Sequence, residues 1–170
     1  MRKISFRNDV LPLKNALYRL ALRITLNRAE AEDIVQDTLI KIWDRRDSWD
    51  EIESIEAFSM TVCRNLSLDR ISRHDNRNAS LDDEKVERPA TAADPYEHTQ
   101  QQDRIAMVRS LVDSLPEKQR TCLQLRDFEW KPYKDIAHIM GITEEQVKVS
   151  IFRARQAIKQ KFQQIDNYGL

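Results

Sequence analysis

The sequence predicts an all-α protein: two small helical domains joined by a flexible linker, with a helix-turn-helix in the second domain. Apolar residues recur at three- and four-residue spacing almost throughout, and few runs show the alternation of strands. A polar stretch with two prolines separates two such patterns. Near the end of the chain, a short helical pattern, a glycine and a longer helical pattern follow one another. This order is typical of a helix-turn-helix.

The first predicted domain covers residues 1–75 and contains three helices. Helix one is expected over residues 9–26, and helix three over about residues 55–74. Helix two is expected to run from Asn27, a favoured N-cap residue, to about residue 45.

The linker is predicted at residues 76–101. Residues 75–99 contain few large apolar side chains, so they cannot bury enough surface to offset the entropy lost on ordering. The second domain is then expected over residues 102–170, with its first helices near residues 103–114 and 116–126.

The predicted helix-turn-helix follows in the second domain. A short helix over about residues 132–140 ends at Gly141, which tolerates the left-handed conformation of a helix C-terminus. Thr143 and Gln146 then have the spacing of a capping box that opens the next helix.

The last helix separates an apolar face from a basic one. The apolar face repeats at three- and four-residue spacing through Val147, Ile151, Ala154, Ile158 and Phe162. No acid occurs in residues 147–164, and the other faces carry cations with short polar or apolar groups. Cations suit phosphates and the short groups suit base edges, so the pattern favours a DNA recognition helix. The alternative is a solvated basic helix end.

Composition excludes several other classes. Cys63 and Cys122 are isolated, which argues against a metal site or a disulfide framework. Two glycines in the whole chain cannot form a glycine-rich phosphate loop, and we expect no cofactor. The apolar residues 11–26 are interrupted by charges, so we expect a cytoplasmic protein with no membrane insertion.

The net charge is zero, but its distribution is uneven. Residues 1–27 hold six Lys or Arg against one acid, residues 28–56 hold four against ten, and residues 102–170 hold twelve against nine. Blocks of opposite sign indicate several partners with different electrostatic demands, because screening makes such fields local.

Helix two, within AEDIVQDTLIKIWDR, places a large aliphatic residue among carboxylates. Asp33 and Asp37 are like charges four residues apart, an arrangement that costs an isolated helix about 0.2–0.5 kcal/mol. This cost suggests an external cationic partner, and Ile40 beside them suggests burial on docking. The alternative is that the acids only aid solubility and that Ile40 is covered by another helix of the domain.

These segments resemble a known family. AEDIVQDTLIKIWDR is similar to the core-binding segment of sigma-70-type factors. The chain from LPEKQR through YKDIAHIMGITEEQVKVSIFRARQAI is similar to their minus-35-binding region. Two such regions, over about residues 11–74 and 102–163, resemble the extracytoplasmic function (ECF) RNA polymerase sigma factors.

The resemblance implies three binding surfaces and no catalytic or metal-binding residues. The surface for core RNA polymerase is Asp33, Gln36, Asp37 and Ile40. The surface for the minus-10 promoter DNA is Trp49, Arg64, Asn65, Arg70 and Arg73. Trp49 could equally anchor its loop on the core. The surface for the minus-35 DNA is Lys148, Val149, Ser150, Phe152, Arg153 and Arg155.

The resemblance also implies an anti-sigma partner, and a linker that either threads the RNA path of the polymerase or is a passive tether. The chain departs from the family at Trp130-Lys131-Pro132, where many members carry a glycine and a small polar residue, and at Glu145-Gln146. Two rival functions are a stand-alone helix-turn-helix regulator and a helical hydrolase with Asp33 and Asp37 as paired carboxylates. The hydrolase lacks the further inward-facing acids and histidines of such sites.

Overall fold

The computed structural model describes residues 3–80 and 100–167, and the regular structure within these ranges is entirely helical. This confirms the predicted fold class. The seven α-helices described are α1 (Lys14–Thr25), α2 (Arg28–Asp44), α3 (Ile55–Ser80), α4 (Gln100–Asp113), α5 (Glu117–Leu123), α6 (Tyr133–Met140) and α7 (Glu144–Asn167).

The first helix begins later than predicted. A π-helical turn, Phe6–Val10, and a 3₁₀ turn, Leu11–Leu13, precede α1. Pro12 falls in the 3₁₀ turn, where its missing N–H costs little because early helical donors have no intrahelical partner. At the other end Leu26 takes a left-handed conformation, φ 57°, and its N–H donates to the Leu22 carbonyl.

Helix α2 is capped as the sequence predicts. The Asn27 side chain accepts a hydrogen bond from the Glu30 N–H at 3.0 Å, an interaction typically worth about 1 kcal/mol. Helix α3 continues to Ser80, beyond the predicted end near residue 74. The predicted end was based on the low apolar content of residues 75–80. These residues include no proline or glycine, so nothing in them breaks the helix.

The helix-turn-helix has the predicted turn chemistry. Gly141 is left-handed, φ 66°, and ends α6. The Thr143 Oγ1 accepts from the Gln146 N–H at 3.1 Å, and the Gln146 Oε1 accepts from the Thr143 N–H at 3.0 Å, which completes the capping box. Upstream, α5 ends at Leu123 and a π-helical turn, Gln124–Phe128, replaces the predicted last helical turn.

The helices form two regions that pack against each other. In the first helical region (residues 3–80), α1, α2 and α3 contact one another, and in the second (residues 100–167), α7 packs on α4, α5 and α6. One apolar cluster contains buried residues from both regions, including Leu17, Met60, Leu125 and Ile139. Contacts between α1 and α5 and between α3 and α6 join the regions.

The predicted linker falls mostly on residues 81–99, which lie outside the described residues. Both roles considered for it, a segment in the RNA path and a passive tether, therefore stay predictions. Residues 76–80 end α3 and residues 100–101 begin α4, while the limits of the two domains stay predictions.

Candidate functional site

The predicted polymerase surface on α2 is exposed. Asp33, Gln36 and Ile40 are all exposed, and Asp37 is half-buried. Ile40 retains 58% of its accessible surface, so no other helix in the described part of the chain covers it. The alternative in which Ile40 belongs to the core of its own domain is therefore wrong. An aliphatic side chain among carboxylates remains available to a partner.

An internal cation offsets the carboxylate repulsion on this face. The Arg70 guanidinium on α3 donates to Glu30 at 2.6 Å, to Asp37 at 3.1 Å and to Asp33. The hydrogen bond with Asp33 is the main cause that raises the pKa of Arg70. The like-charge cost of the two aspartates is thus offset within the chain, because α3 brings a cation from a distant part of the sequence. The external cationic partner stays a prediction.

Glu30 joins this cluster to His74. The imidazole Nε2 lies 2.8 Å from the Glu30 Oε1. The side-chain hydrogen bond with His74, followed by that from Arg70, lowers the pKa of Glu30 against the opposing effect of burial. The sequence did not predict that Glu30 and His74 belong to this cluster. The two residues lie far apart along the chain, so no short spacing pattern connects them.

Trp49 is packed into a small aromatic core. It is 7% exposed, and its Nε1 donates to the Ile42 carbonyl at 3.0 Å. Its ring meets the Trp43 ring edge to face at 6.3 Å between centroids, and Trp43 meets Phe6 in the same manner at 5.3 Å. This structure therefore holds Trp49 as the loop anchor, and base stacking by Trp49 stays a prediction.

The predicted minus-10 residues on α3 have contrasting environments. Arg64 is buried and pairs with Glu117 of the second region at 3.4 Å. Asn65 is exposed and lines a groove of about 540 Å³ between α2 and α3, together with Lys41 and Asp69. Arg73 is exposed and pairs with Asp69 at 3.0 Å. The structure thus places Asn65 and Arg73 at the surface and Arg64 in the interior.

Four of the six predicted minus-35 residues form one exposed face of α7. Lys148, Val149, Phe152 and Arg153 are exposed, and Phe152 retains 62% of its accessible surface. The Lys148 ammonium lies 5.4 Å from the centre of the Tyr133 ring on α6. Cations beside apolar groups on one exposed face of a helix are the combination that phosphates and base edges require.

Ser150 and Arg155 are the other two predicted minus-35 residues. Ser150 is half-buried. Arg155 donates to both carboxylate oxygens of Asp127, at 2.5 and 3.2 Å. The hydrogen bond with Asp127 raises the pKa of Arg155. Arg155 is itself exposed, and its ion pair connects α7 to the turn that contains Asp127. Contact of Ser150 and Arg155 with DNA stays a prediction.

The loop that departs from the family pattern has a strained residue. Trp130 is 83% exposed and has φ 57°, a left-handed conformation that costs a non-glycine residue roughly 1–2 kcal/mol. The Lys131 ammonium pairs with Glu56 of α3, and the Arg126 guanidinium donates to the Lys131 carbonyl at 3.0 Å. These contacts hold the loop in the conformation that glycine would adopt without strain.

The fold and these surfaces match one class of protein, the sigma-70-type transcription factors. The family models of Sigma-70 region 2 and Sigma-70, region 4 match residues 10–77 and 105–158. ECF RNA polymerase sigma factor SigM of Bacillus subtilis is 28% identical over 152 residues, covering 85% of this chain and 87% of the relative. ECF RNA polymerase sigma factor SigL of Mycobacterium tuberculosis is 30% identical over 152 residues, covering 88% and 84%.

A solved structure extends the match to the arrangement of the helices. The sigma factor RpoE of Bartonella quintana, in complex with the anti-sigma factor NepR, aligns with a TM-score of 0.73 and 25% identity over 93% of this chain and 96% of that one. The chain belongs to the ECF RNA polymerase sigma factors. It is a promoter-directing sigma factor rather than a stand-alone regulator, and this family is not a family of enzymes.

Proposed function

We propose that this sigma factor uses α2 to dock on core RNA polymerase, α7 to bind minus-35 duplex DNA and α3 to engage the minus-10 element. The observation that carries the proposal is that Ile40 and Phe152 remain exposed on the faces assigned to polymerase and DNA. Exposed large apolar residues within a charged face are typical of binding sites, where docking buries them.

For the polymerase, Asp33, Gln36, Asp37 and Ile40 form one docking face. Arg70 neutralises part of its charge, so the face offers directed carboxylate oxygens and an apolar centre. A basic surface with an apolar recess is the complementary partner, because complementary charge speeds association and fixes register.

For the minus-35 element, Lys148, Val149, Phe152 and Arg153 enter the major groove. An exposed Arg153 is free to make a bidentate contact with guanine, a contact worth about 1–3 kcal/mol of discrimination. Arg155 would contribute to binding mainly by holding α7 in place through its ion pair with Asp127, while Ser150 lies half-buried next to Val149.

For the minus-10 element, Asn65 and Arg73 are the proposed residues of α3 that are already exposed to solvent. Arg64, Arg70 and Trp49 complete the proposed surface only if each leaves its present partner. Strand separation requires capture of unstacked bases, and the groove beside Asn65 is of a size and polarity to receive one.

The proposal extends to how the protein is regulated. Among the structural neighbours, RpoE of Bartonella quintana is described in complex with an anti-sigma factor and CnrH in complex with the cytosolic domain of CnrY. We propose an anti-sigma partner for this chain as well.

We further propose that the chain acts in the cytoplasm and has no catalytic activity of its own, because the polymerase performs the chemistry. In the part of the chain that the structure describes, no helix combines the length and apolar character of a membrane span.

Promoter binding with and without core polymerase tests the proposal. We expect the free chain to bind promoter DNA weakly and with little sequence preference, and the chain loaded on core polymerase to bind its promoters tightly. Tight, sequence-specific binding by the free chain would instead favour the stand-alone regulator.

A further inference from the structure

The aromatic residue Trp130 lies outside the packed core. Its side chain is 83% exposed, although tryptophan is highly buried on average in folded proteins. Its backbone is left-handed, φ 57°, so the residue combines steric strain with exposed apolar surface. Strained residues cluster at functional sites, and Trp130 is therefore a candidate for a binding role.

The residues on both sides of Trp130 are fixed within the second helical region. The Glu129 N–H donates to the Gln124 carbonyl at 3.1 Å, and the Lys131 N–H donates to the Leu125 carbonyl at 3.0 Å. These bonds anchor the loop to the π-helical turn that precedes it. The indole of Trp130 therefore projects from a loop whose backbone is held on either side.

Tyr133, the first residue of α6, links this loop to the proposed minus-35 face. The Arg126 guanidinium lies 4.1 Å from the centre of the Tyr133 ring, and the Lys148 ammonium lies 5.4 Å from it. Lys148 belongs to the exposed face of α7 to which the proposed function assigns DNA binding. Trp130 is three residues before Tyr133, a distance of at most about 10 Å along the chain, so it lies near the edge of that face.

The charge at this edge suits a nucleic-acid backbone. Two cations flank the Tyr133 ring, and the exposed Lys134 follows in the first turn of α6. Of the nearby acids, Asp127 is paired with Arg155, and Asp135 is half-buried. The exposed charge beside Trp130 is therefore mainly positive, which is the complement of phosphate.

The two helices of a helix-turn-helix meet DNA in different ways. The second helix enters the major groove, while the first crosses the sugar–phosphate backbone. Here α6 is the first helix, and the Trp130 loop leads directly into it. An indole has an N–H donor and a large apolar ring, so it can donate to a phosphate while it packs on a deoxyribose.

We infer that Trp130 and Lys134 bind the sugar–phosphate backbone of duplex DNA beside the minus-35 element, next to the base pairs that α7 reads. We call this pair the backbone contact. It deepens the proposed function and rests on it. The backbone contact adds affinity for every promoter sequence, because phosphates and sugars carry no direct sequence information.

Replacement of Trp130 by glycine tests the inference. Trp130→Gly removes the indole and relieves the left-handed strain, so the Tm of the free chain should not fall. In the complex of chain and core polymerase, we expect affinity for promoter DNA to fall about 5–10-fold, equally for promoters that differ in minus-35 sequence. Trp130→Phe keeps a ring and loses the N–H, and should retain part of the affinity. Fluorescence anisotropy of labelled promoters, identified from the transcripts of that complex, measures all of these values.

The salt dependence of binding tests the cation of the backbone contact. Lys134→Gln should weaken promoter binding and reduce the slope of log affinity against log salt concentration by about 1, the change for one lost phosphate contact. Lys118→Gln is the matched control, because Lys118 is an exposed lysine of α5, outside the loop and outside α6 and α7. Its slope should equal that of the parent, and equal slopes for all three chains would contradict a role for Lys134.

Ethylation interference locates the contact on the DNA. Ethylation of single phosphates should block binding of the parent complex at one or two positions beside the minus-35 element. The same positions should give no interference with Trp130→Gly, because the contact they disturb is already lost. An identical pattern for the two complexes would remove Trp130 from the backbone contact.

The outcomes separate this inference from the proposed function. If Trp130→Gly binds promoters with the parent's affinity, or if it changes the preferred minus-35 base, the backbone contact is wrong while the proposed function stands. If it weakens association with core polymerase instead, Trp130 contacts protein, and the backbone contact is again wrong. If the parent complex itself does not bind promoters selectively, the proposed function fails and the backbone contact fails with it.

Discussion

The two helical regions differ in how far their proposed DNA-binding residues are exposed. In the second region, Val149, Phe152 and Arg153 are exposed on α7. In the first region, Arg64 and Trp49 are buried, and Arg64 has its ion-pair partner in the second region. On the proposed roles, the exposed residues of α7 need no rearrangement to meet duplex DNA, whereas Arg64 and Trp49 would first have to leave their present partners.

Reversal of one charge on α2 should have the largest effect. Asp37→Arg places a cation at the centre of the docking face, beside Arg70, and we expect association with core polymerase to weaken by at least about 30-fold, the scale of an interface hot spot. Fluorescence anisotropy of the labelled chain titrated with core measures this.

Glu53→Arg is the matched control, because Glu53 is exposed between α2 and α3 and lies outside the docking face. We expect its affinity for core to stay within about twofold of the parent, on the usual scale of surface substitutions. Equal losses in the two variants would remove Asp37 from the interface.

Loss of Arg153 should have the next largest effect. Arg153→Ala removes a bidentate contact and should reduce discrimination at one minus-35 base pair by about 10-fold. Selection from a randomised minus-35 library by the polymerase complex measures this. Lys159→Ala, an exposed cation farther along α7, should weaken binding across all sequences without changing the preferred base. An unchanged base profile for Arg153→Ala would exclude it from readout.

The Arg70 cluster gives a smaller effect, on stability. Arg70→Ala leaves Glu30, Asp33 and Asp37 without their shared cation. We expect a loss of about 1 kcal/mol in the free energy of unfolding, seen as a fall in Tm of about 2–4 °C. Arg73→Ala, which breaks the exposed pair with Asp69, should cost less than about 0.5 kcal/mol. Equal costs would show that Arg70 is only another surface cation.

The smallest effect is a pH dependence at Glu30. Its pKa is lowered in the folded chain, chiefly by the hydrogen bond with His74, so its ionised form stabilises the fold above the ordinary value of 4.5. That contribution is lost as the pH falls below this value and through the lowered pKa. Urea unfolding at several pH values should show the gap between the parent and Glu30→Gln closing in acid. A constant gap would contradict the assignment.

Sequence patterns predicted the features that are local. The Asn27 cap, the left-handed Gly141 and the Thr143–Gln146 capping box each depend on residues within a few positions, and the structure confirms all three. The exposed face of α7 follows from helical spacing in the same way.

The partners of cations could not be predicted, because they depend on how helices pack. Arg70 is bound to acids 33 to 40 residues away, and Arg64 to an acid 53 residues away. The sequence shows the charge of each residue but not which helix faces it. For the same reason the contact between the two regions was not foreseen, although both regions were.

Strand opening at the minus-10 element tests the central claim most directly. Permanganate reacts with unpaired thymines, and the template is a promoter identified from transcripts made by the loaded polymerase. We predict reactive minus-10 thymines with chain and core together, and none with the chain alone or core alone. Opening by the chain alone, or a closed promoter in the complete mixture, would contradict the account.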